Sequence, residues 1–146
     1  MIRWIASALA LGAERIGHGF NLYRHDAVKQ EIMDKGITLE CCPISNHILG
    51  YCPNLQQHPA IGYIRDSLKV ALCADDPGFL MCRSLVDDYF VAAAVWNLSL
   101  PEIKQLCINS IESSFLPESR KSEHRKDWEE KWKQFEKEMI TNFQKQ

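Results

Sequence analysis

The sequence lacks three features that would assign the protein at once to a common functional class. Its 17 basic and 19 acidic side chains leave a formal net charge of −2, so the long-range attraction that draws proteins to nucleic acid or an anionic bilayer is weak. No apolar run approaches the roughly 20 residues of a membrane-spanning helix. No C-x-x-C pair occurs, which excludes a zinc finger. We therefore expect no nucleic-acid partner and no membrane span.

Internal repeats, low-complexity tracts and linkers rich in glycine, serine and proline are also missing from the sequence. Of its 146 residues, 46% are hydrophobic and 25% are charged. This composition and length are typical of about one globular domain. We therefore interpret residues 1–146 as a single structural unit.

Cysteine is present six times, without the spacing of a metal-binding motif. Four of the cysteines lie inside apolar stretches, where a thiol packs well as a small hydrophobic group: Cys41, Cys42, Cys73 and Cys107. We expect reduced thiols there rather than a disulfide framework. One glycosylation sequon, Asn97-Leu98-Ser99, is relevant only if the protein is secreted.

The first dozen residues allow two interpretations. The run Trp4–Leu11 resembles the apolar part of a short signal peptide. The alternative, which we favour, is a helix packed against a sheet, because Ile2, Ile5 and Leu9 suit one buried helix face and Gly12 stands where a left-handed helix cap is usual. We therefore identify no convincing signal peptide in this chain.

Further along the chain, short apolar runs alternate with helical patterns. The runs that predict strands are residues 14–17, 37–42 and 69–74, and the patterns that predict helices between them are residues 26–35 and 60–67. Strands separated by helices favour parallel βαβ units. The fold class is therefore α/β.

Beyond Asp76 the pattern is helical to the end of the chain. Two capping boxes mark helix starts, one from Ser84 to Asp87 and one from Ser99 to Glu102. The last helix carries an apolar stripe at helical spacing, formed by Trp128, Trp132, Phe135, Met139 and Phe143. Its remaining residues mix both charge signs, which is typical of a solvated face rather than a nucleic-acid surface.

Polar residues follow two of the predicted strands. His18 comes after the first strand, and Asp75 and Asp76 come after the third. The carboxyl ends of parallel strands meet at one edge of the sheet, and adjacent carboxylates near a core require a cation or a donor. A metal or substrate site is one interpretation. A turn at Pro77–Gly78 and an exposed imidazole at His18 are the alternatives.

Three segments carry a resemblance to a known family. They are Arg15–Phe20 (RIGHGF), Glu40–Asn46 (ECCPISN) and Ala74–Pro77 (ADDP), in that order. Together they resemble the C-terminal half of the adenosine deaminase family. The CPISN sequence, the region around Asn109 and the last helix resemble its secreted branch, the adenosine deaminase-related growth factors. The resemblance covers nearly the whole chain.

The resemblance implies part of a (β/α)8 TIM barrel that hydrolyses adenosine, and 2'-deoxyadenosine, to the inosine product and ammonia with one Zn²⁺ ion. In the family, the aspartate matching Asp75 is a metal ligand and the neighbour matching Asp76 hydrogen-bonds the purine. The histidine matching His18 is catalytic and acts beside the metal. An adenosine-type nucleoside is thus the implied substrate.

The family pattern also requires residues that this sequence does not contain. It includes a His-x-His pair from the first barrel strand, a third zinc histidine from a middle strand and a glutamate that moves the proton. The chain has no His-x-His, so the resemblance places these residues upstream of Met1. We therefore expect the C-terminal part of the domain, about three βα units plus C-terminal helices, with the barrel incomplete.

We predict a zinc-dependent adenosine deaminase for the full-length parent and inactivity for this piece alone. The alternatives are a growth-factor-like extracellular binding module and a deaminase of another adenine nucleoside or nucleotide. The resemblance implies an extracellular location and leaves open a homodimer of the full-length protein.

Overall fold

The computed structural model describes residues 2–81 and 83–144 of the chain. They form two compact units, one ending at Ser113 and one beginning at Ser114. The first unit contains a three-stranded sheet with helices, and the second consists mainly of one long helix. The predicted α/β class is therefore confirmed.

The sheet is parallel throughout. Its strands are β1 (Arg15–Gly17), β2 (Thr38–Cys41) and β3 (Val70–Leu72), in the spatial order β1-β2-β3. Ile16 pairs with Leu39, and Leu39 pairs in turn with Val70. Each strand lies inside a run predicted from the sequence and is shorter than that run. Three short parallel strands in this order are the arrangement expected of successive βα units.

The hydrophobic core lies between this sheet and the helices around it. Leu39, at the centre of β2, and Val70 on β3 are fully buried, and all three residues of β3 are buried. A parallel strand covered on both faces is apolar without alternation. This explains why the third strand was recognisable as a continuous apolar run.

Three helices match the helical patterns of the N-terminal half: α1 (Ile2–Ala10), α2 (Asp26–Asp34) and α4 (Ala60–Arg65). In α1 the predicted inward side chains of Ile5 and Leu9 are 6% and 4% exposed, whereas the side chain of Ile2 lies outside the described residues. Gly12 follows α1 with φ +77° and donates its N–H to the Leu9 carbonyl. The helix interpretation of the first dozen residues is confirmed.

A further helix, α3 (Pro43–Ile48), was not predicted. Its buried side includes the polar residues Ser45 and Asn46, whereas Ile48 is 51% exposed, so no apolar period marks this helix. Pro43 occupies its first turn, where the missing N–H of proline has no consequence. The side chain of Asp88 accepts a hydrogen bond from the Ile44 N–H at 3.1 Å, so a residue 44 positions away stabilises this helix start.

Two helices follow β3 within the first unit. Helix α5 (Leu85–Phe90) continues as a π-helical turn over Val91–Val95. Ser84 caps α5 by accepting from the Val86 N–H, but Asp87 accepts from Arg83 N–H at 2.9 Å, so the reciprocal box predicted there is wrong.

The second predicted capping box is confirmed. It begins α6 (Leu100–Glu112), where Glu102 accepts from the Ser99 N–H at 2.8 Å.

The second unit contains α7 (Glu118–Phe143). Trp128 stacks on Trp132 with ring centroids 5.2 Å apart, and Trp132 contacts Phe135 at 5.3 Å, so the predicted aromatic stripe forms along one side of the helix. Arg125 and Glu129 form an i,i+4 ion pair. Among the described residues, no helix is long and apolar enough to cross a membrane.

The cysteines of the described ranges are free thiols, as expected: Cys41, Cys42, Cys52, Cys73 and Cys107. Cys82 lies outside the described residues. Burial raises the pKa of Cys41 to about 12, so this core thiol stays protonated and unreactive at neutral pH.

Glycine substitutions provide a test of this fold. Gly19 has φ +59°, and a Cβ built there would lie 3.1 Å from Leu39 Cδ2, whereas Gly62 in α4 is exposed with open space around it. We expect Gly19→Ala to lower the free energy of unfolding by about 1–2 kcal/mol through left-handed strain. The control Gly62→Ala should raise it by up to about 1 kcal/mol. Urea denaturation measures both free energies of unfolding. A Gly19→Ala protein with the free energy of unfolding of the wild type would contradict the turn geometry.

Candidate active site

The candidate site lies at the carboxyl end of the sheet. His18 directly follows β1, Cys42 directly follows β2, and Asp75 lies three residues beyond β3. Backbone hydrogen bonds continue past the strands, from His18 N–H to the Glu40 carbonyl at 2.7 Å and from Cys73 N–H to the Cys41 carbonyl at 2.9 Å. The ladder that aligns the strands therefore also brings these side chains to one place.

His18 and Asp75 both have left-handed backbone conformations, with φ of 59° and 58°. Residues other than glycine adopt this left-handed region at a cost of about 1–3 kcal/mol. Such strained residues concentrate at functional sites. The chain turns sharply where each side chain leaves the sheet. Both residues thus combine a strained backbone with a polar group at the strand ends.

The two side chains face each other. His18 Nε2 lies 3.9 Å from Asp75 Oδ2, and the side chains are 43% and 30% exposed. Ser45, buried in α3, donates its Oγ–H to Asp75 Oδ2 at 2.6 Å. The hydroxyl therefore holds the carboxylate in position, and an opening to solvent remains beside it.

Two further side chains of the site form a buried chain behind His18. Asn46 Nδ2 lies 3.5 Å from His18 Nδ1, and Asn46 Oδ1 lies 3.0 Å from His58 Nε2. His58 is 2% exposed and stacks on Trp96 at 5.4 Å between ring centroids, and burial lowers its pKa to about 4. His58 is therefore neutral at physiological pH.

A small cavity opens beside the His18 ring. It has a volume of about 200 Å³ and is lined by His18, Asn46 and three apolar or aromatic side chains, those of Phe20, Leu49 and Tyr51. Complete ligand pockets usually enclose roughly 300–1,000 Å³. This volume fits one part of a small organic ligand.

Three donor groups lie close enough to share a metal ion. Within the described ranges, the ligand atoms of His18, Cys42 and Asp75 all lie within 4.8 Å of one another. Carboxylate, imidazole and thiolate are ligands that zinc accepts. A hydrogen bond with Cys73 and burial raise the pKa of the Cys42 thiol, so the carboxylate and the imidazole are the readier donors of the three.

Asp76 extends the site toward solvent. It is exposed next to Asp75, and its carbonyl accepts a hydrogen bond from Leu80 N–H at 2.9 Å. The backbone here forms the turn that the Pro77–Gly78 sequence predicted as an alternative, while the Asp75 side chain also faces His18. A turn and a polar site therefore coexist at this strand end.

The adenosine deaminase family model matches residues 3–130, which is most of the chain. The chain belongs to the adenosine deaminase family. It is 37% identical to adenosine deaminase 2 of Sus scrofa over 91% of its own length, and it spans 27% of the length of that relative.

Two solved structures show the same arrangement. The chain is similar to an adenine deaminase from Arthrobacter aurescens, with a TM-score of 0.78 and 32% identity, over 82% of this chain and 37% of that one. It also superimposes on an amidohydrolase from Burkholderia ambifaria solved with bound Zn, with a TM-score of 0.81 and 18% identity, over 90% and 37% of the chains. The fold expectation, part of the deaminase TIM barrel, is confirmed.

In this adenosine deaminase family member, the structure brings together His18 and Asp75 as predicted and adds residues that sequence reasoning missed. Ser45 and Asn46 lay inside the ECCPISN segment that carried the resemblance, but no role was assigned to them. No role was assigned from the sequence to His58 either, because its contact with Asn46 depends on tertiary packing alone.

The buried carboxyl of Asp88 provides a pH test of this part of the family fold. Burial raises the pKa of Asp88 from 3.8 to about 6, so the folded state binds more protons than the unfolded state between these pH values, and stability falls as pH rises through them. Asp88→Asn cannot titrate and still accepts from Ile44. We expect its stability relative to wild type to rise from pH 4 to pH 7, by up to about 3 kcal/mol.

Asp87→Asn is the matched control for that experiment. A hydrogen bond from the Arg83 N–H lowers the pKa of Asp87, so its contribution to stability is present above the ordinary carboxyl pKa and is lost as pH falls. Denaturant titrations between pH 4 and pH 7 should therefore show the rise for Asp88→Asn and almost no change for Asp87→Asn, whose pH dependence lies below the ordinary carboxyl value of 3.8. Equal pH dependence of the two variants would contradict the burial of Asp88.

Proposed function

We propose that this chain supplies the His18, Asp75 and Asp76 portion of a zinc-dependent adenosine deaminase. The proposed reaction is hydrolysis of adenosine and 2'-deoxyadenosine at C6, in which water adds, the exocyclic amine leaves as ammonia and the inosine product remains. The observation that carries the proposal is the approach of His18 Nε2 to Asp75 Oδ2, 3.9 Å apart at the carboxyl end of the sheet, in a member of this family.

The donor set fits the proposed metal. Asp75 would hold Zn²⁺ through a carboxylate oxygen, and His18 and Cys42 lie within reach of the same place. The Burkholderia ambifaria amidohydrolase with bound Zn supports this choice of ion. When bound, zinc lowers the pKa of water to about 7 and so makes a nucleophile available at neutral pH.

The residues of the chain have distinct proposed roles. Ser45 holds the Asp75 carboxylate through its hydroxyl hydrogen bond of 2.6 Å. His18 orients the reacting oxygen and stabilises the charge that develops on it. Asp76 hydrogen-bonds the purine ring, and a wrong base would leave that hydrogen bond unmade.

The cavity beside His18 supports an aromatic substrate. Its walls include Phe20 and Tyr51, whose rings offer flat apolar surface to a purine. Its polar edge is formed by His18 and Asn46. The match to an adenine deaminase at 32% identity makes the free base a competing substrate, together with other adenine nucleosides and nucleotides.

The extracellular location implied by the resemblance is part of the same proposal. The homodimer of the full-length protein remains a prediction.

The 146-residue chain itself is expected to be inactive. It contains no His-x-His pair, and one carboxylate with one imidazole binds zinc weakly compared with a complete ligand set. We expect no ammonia release from adenosine, 2'-deoxyadenosine, adenine or AMP, and less than one equivalent of zinc after dialysis. A coupled ammonia assay and metal analysis measure these quantities. Turnover by this chain would overturn the assignment of the missing ligands.

Substitutions in a longer protein that contains these residues separate the proposed roles. Asp75→Ala should remove bound zinc and activity together, because it deletes a metal ligand. His18→Ala should retain zinc and lose rate. Asp66→Ala, which changes an exposed carboxylate paired with Lys29, is the control and should retain both. Metal analysis and ammonia release are measured on each variant.

Two outcomes would contradict these roles. Loss of zinc from both site variants would mean that His18 is a ligand rather than a catalytic neighbour. Undiminished binding to cells after Asp75→Ala, with no deaminase activity in the parent, would favour the growth-factor-like module instead.

A further inference from the structure

The buried end of the polar chain behind His18 has a fixed hydrogen-bond direction. The backbone N–H of Ala60 donates to His58 Nδ1 at 3.2 Å. A backbone amide can only donate, so Nδ1 of His58 is an acceptor and carries no hydrogen. Burial keeps His58 neutral, with its pKa lowered to about 4. The one ring hydrogen is therefore on Nε2.

The hydrogen on His58 Nε2 in turn fixes the orientation of the Asn46 side-chain amide. The Nε2–H of His58 donates to Asn46 Oδ1 across 3.0 Å. This contact fixes the orientation of the amide, so the NH₂ group of Asn46 is at the other end, 3.5 Å from His18 Nδ1. Asn46 is 3% exposed and His58 is 2% exposed, so water has little access to the contact between them.

The orientation of the Asn46 amide then determines which ring nitrogen of His18 carries the hydrogen. Because the Asn46 NH₂ group is a donor, His18 Nδ1 faces it as the acceptor, and the hydrogen of the neutral ring is on Nε2. We infer that His58 and Asn46 are positioning residues that fix the tautomer of His18, with Nε2–H directed toward Asp75. The opposite tautomer would place an N–H of His18 against the NH₂ of Asn46, two donors facing each other.

Packing prevents the reversal of this hydrogen-bond chain, which we call the relay and which runs from Ala60 through His58 and Asn46 to His18. A reversed Asn46 amide would place its NH₂ group against the Nε2–H of His58. A reversed His58 ring would have to rotate between Trp96, stacked at 5.4 Å, and Phe20, in edge contact at 5.5 Å. The orientation is therefore fixed in the core and has its effect at the part-exposed His18.

The role of this tautomer in catalysis rests on the proposed function. A neutral His18 with Nε2–H can donate a hydrogen bond to an oxygen beside Asp75, whereas its remaining lone pair, on Nδ1, faces Asn46. His18 is then a donor that orients and stabilises the oxygen, and the proton removed from water goes elsewhere. The tautomer itself is a property of this chain and is measurable without metal, substrate or turnover.

The test is nuclear magnetic resonance of the 146-residue chain labelled with ¹⁵N at histidine. Spectra at about pH 8, above the ~6.5 at which a free histidine titrates, show which ring nitrogen of each histidine carries hydrogen. The chain has five histidines, and the signals that disappear in His18→Asn and His58→Phe identify these two. We expect the Nε2–H form for both residues in the wild-type chain. A dominant Nδ1–H form of His18 would overturn the inference without any variant.

Asn46→Asp tests whether Asn46 sets the tautomer. An aspartate carboxylate has two acceptors and no donor, so it still accepts from His58 but now also accepts from His18. We expect the hydrogen of His18 to move to Nδ1, which exchanges the downfield and upfield ring-nitrogen signals. An unchanged His18 spectrum in a folded Asn46→Asp protein would overturn the inference.

Two variants separate this effect from general loss of structure. Asn109→Asp also changes a buried asparagine of the same unit, one that donates to the Val70 carbonyl at 2.9 Å, and it should leave His18 in the wild-type form. His58→Phe keeps an aromatic ring but removes the donor, so Asn46 loses its orientation and His18 should show a mixture of both forms. A change in Asn109→Asp equal to that in Asn46→Asp would contradict a specific relay.

Discussion

Backbone hydrogen bonding of β2 to both neighbouring strands determines where the site groups that follow the strands lie, namely His18, Cys42 and Asp75. Leu39 N–H donates to the Lys69 carbonyl at 2.8 Å on one side, and the Glu40 carbonyl accepts from His18 on the other. The period of a strand is two residues, so a shift of one residue would turn each side chain to the opposite face. The register of three short strands thus brings together residues more than 50 positions apart in sequence.

Buried polar groups then connect the sheet to the loops and helices around it. Among the residues that the structure describes, no buried side-chain nitrogen or oxygen lacks a hydrogen-bond partner. Asp88 and His58 respond to protons in opposite senses, because burial raises the pKa of the carboxyl to about 6 and lowers that of the imidazole to about 4. Between these pH values, folding favours the proton on Asp88 and disfavours it on His58. The two contributions to the pH dependence of stability therefore oppose each other.

The sequence predicted those parts of the fold and site that depend on local pattern. The β3 run at residues 69–74 was recognisable because it is continuously apolar, and the start of α6 because Ser99 and Glu102 form a reciprocal cap. The approach of His18 to Asp75 followed from the rule that parallel strand ends meet. Helix α3 buries the polar residues Ser45 and Asn46 and so shows no apolar period, and the capping of α3 by Asp88 joins residues far apart in sequence. His58 has no local pattern that indicates its contact with Asn46.

The left-handed backbone at His18 and Asp75 has a consequence for how this unit changes during evolution. Glycine or asparagine would occupy both positions with less strain. Copies of the unit selected only to fold would therefore drift toward those residues, since nothing would offset the strain of a histidine and an aspartate. Positions 18 and 75 of related sequences thus provide a marker that distinguishes lineages under selection for chemistry from copies that retain only the fold.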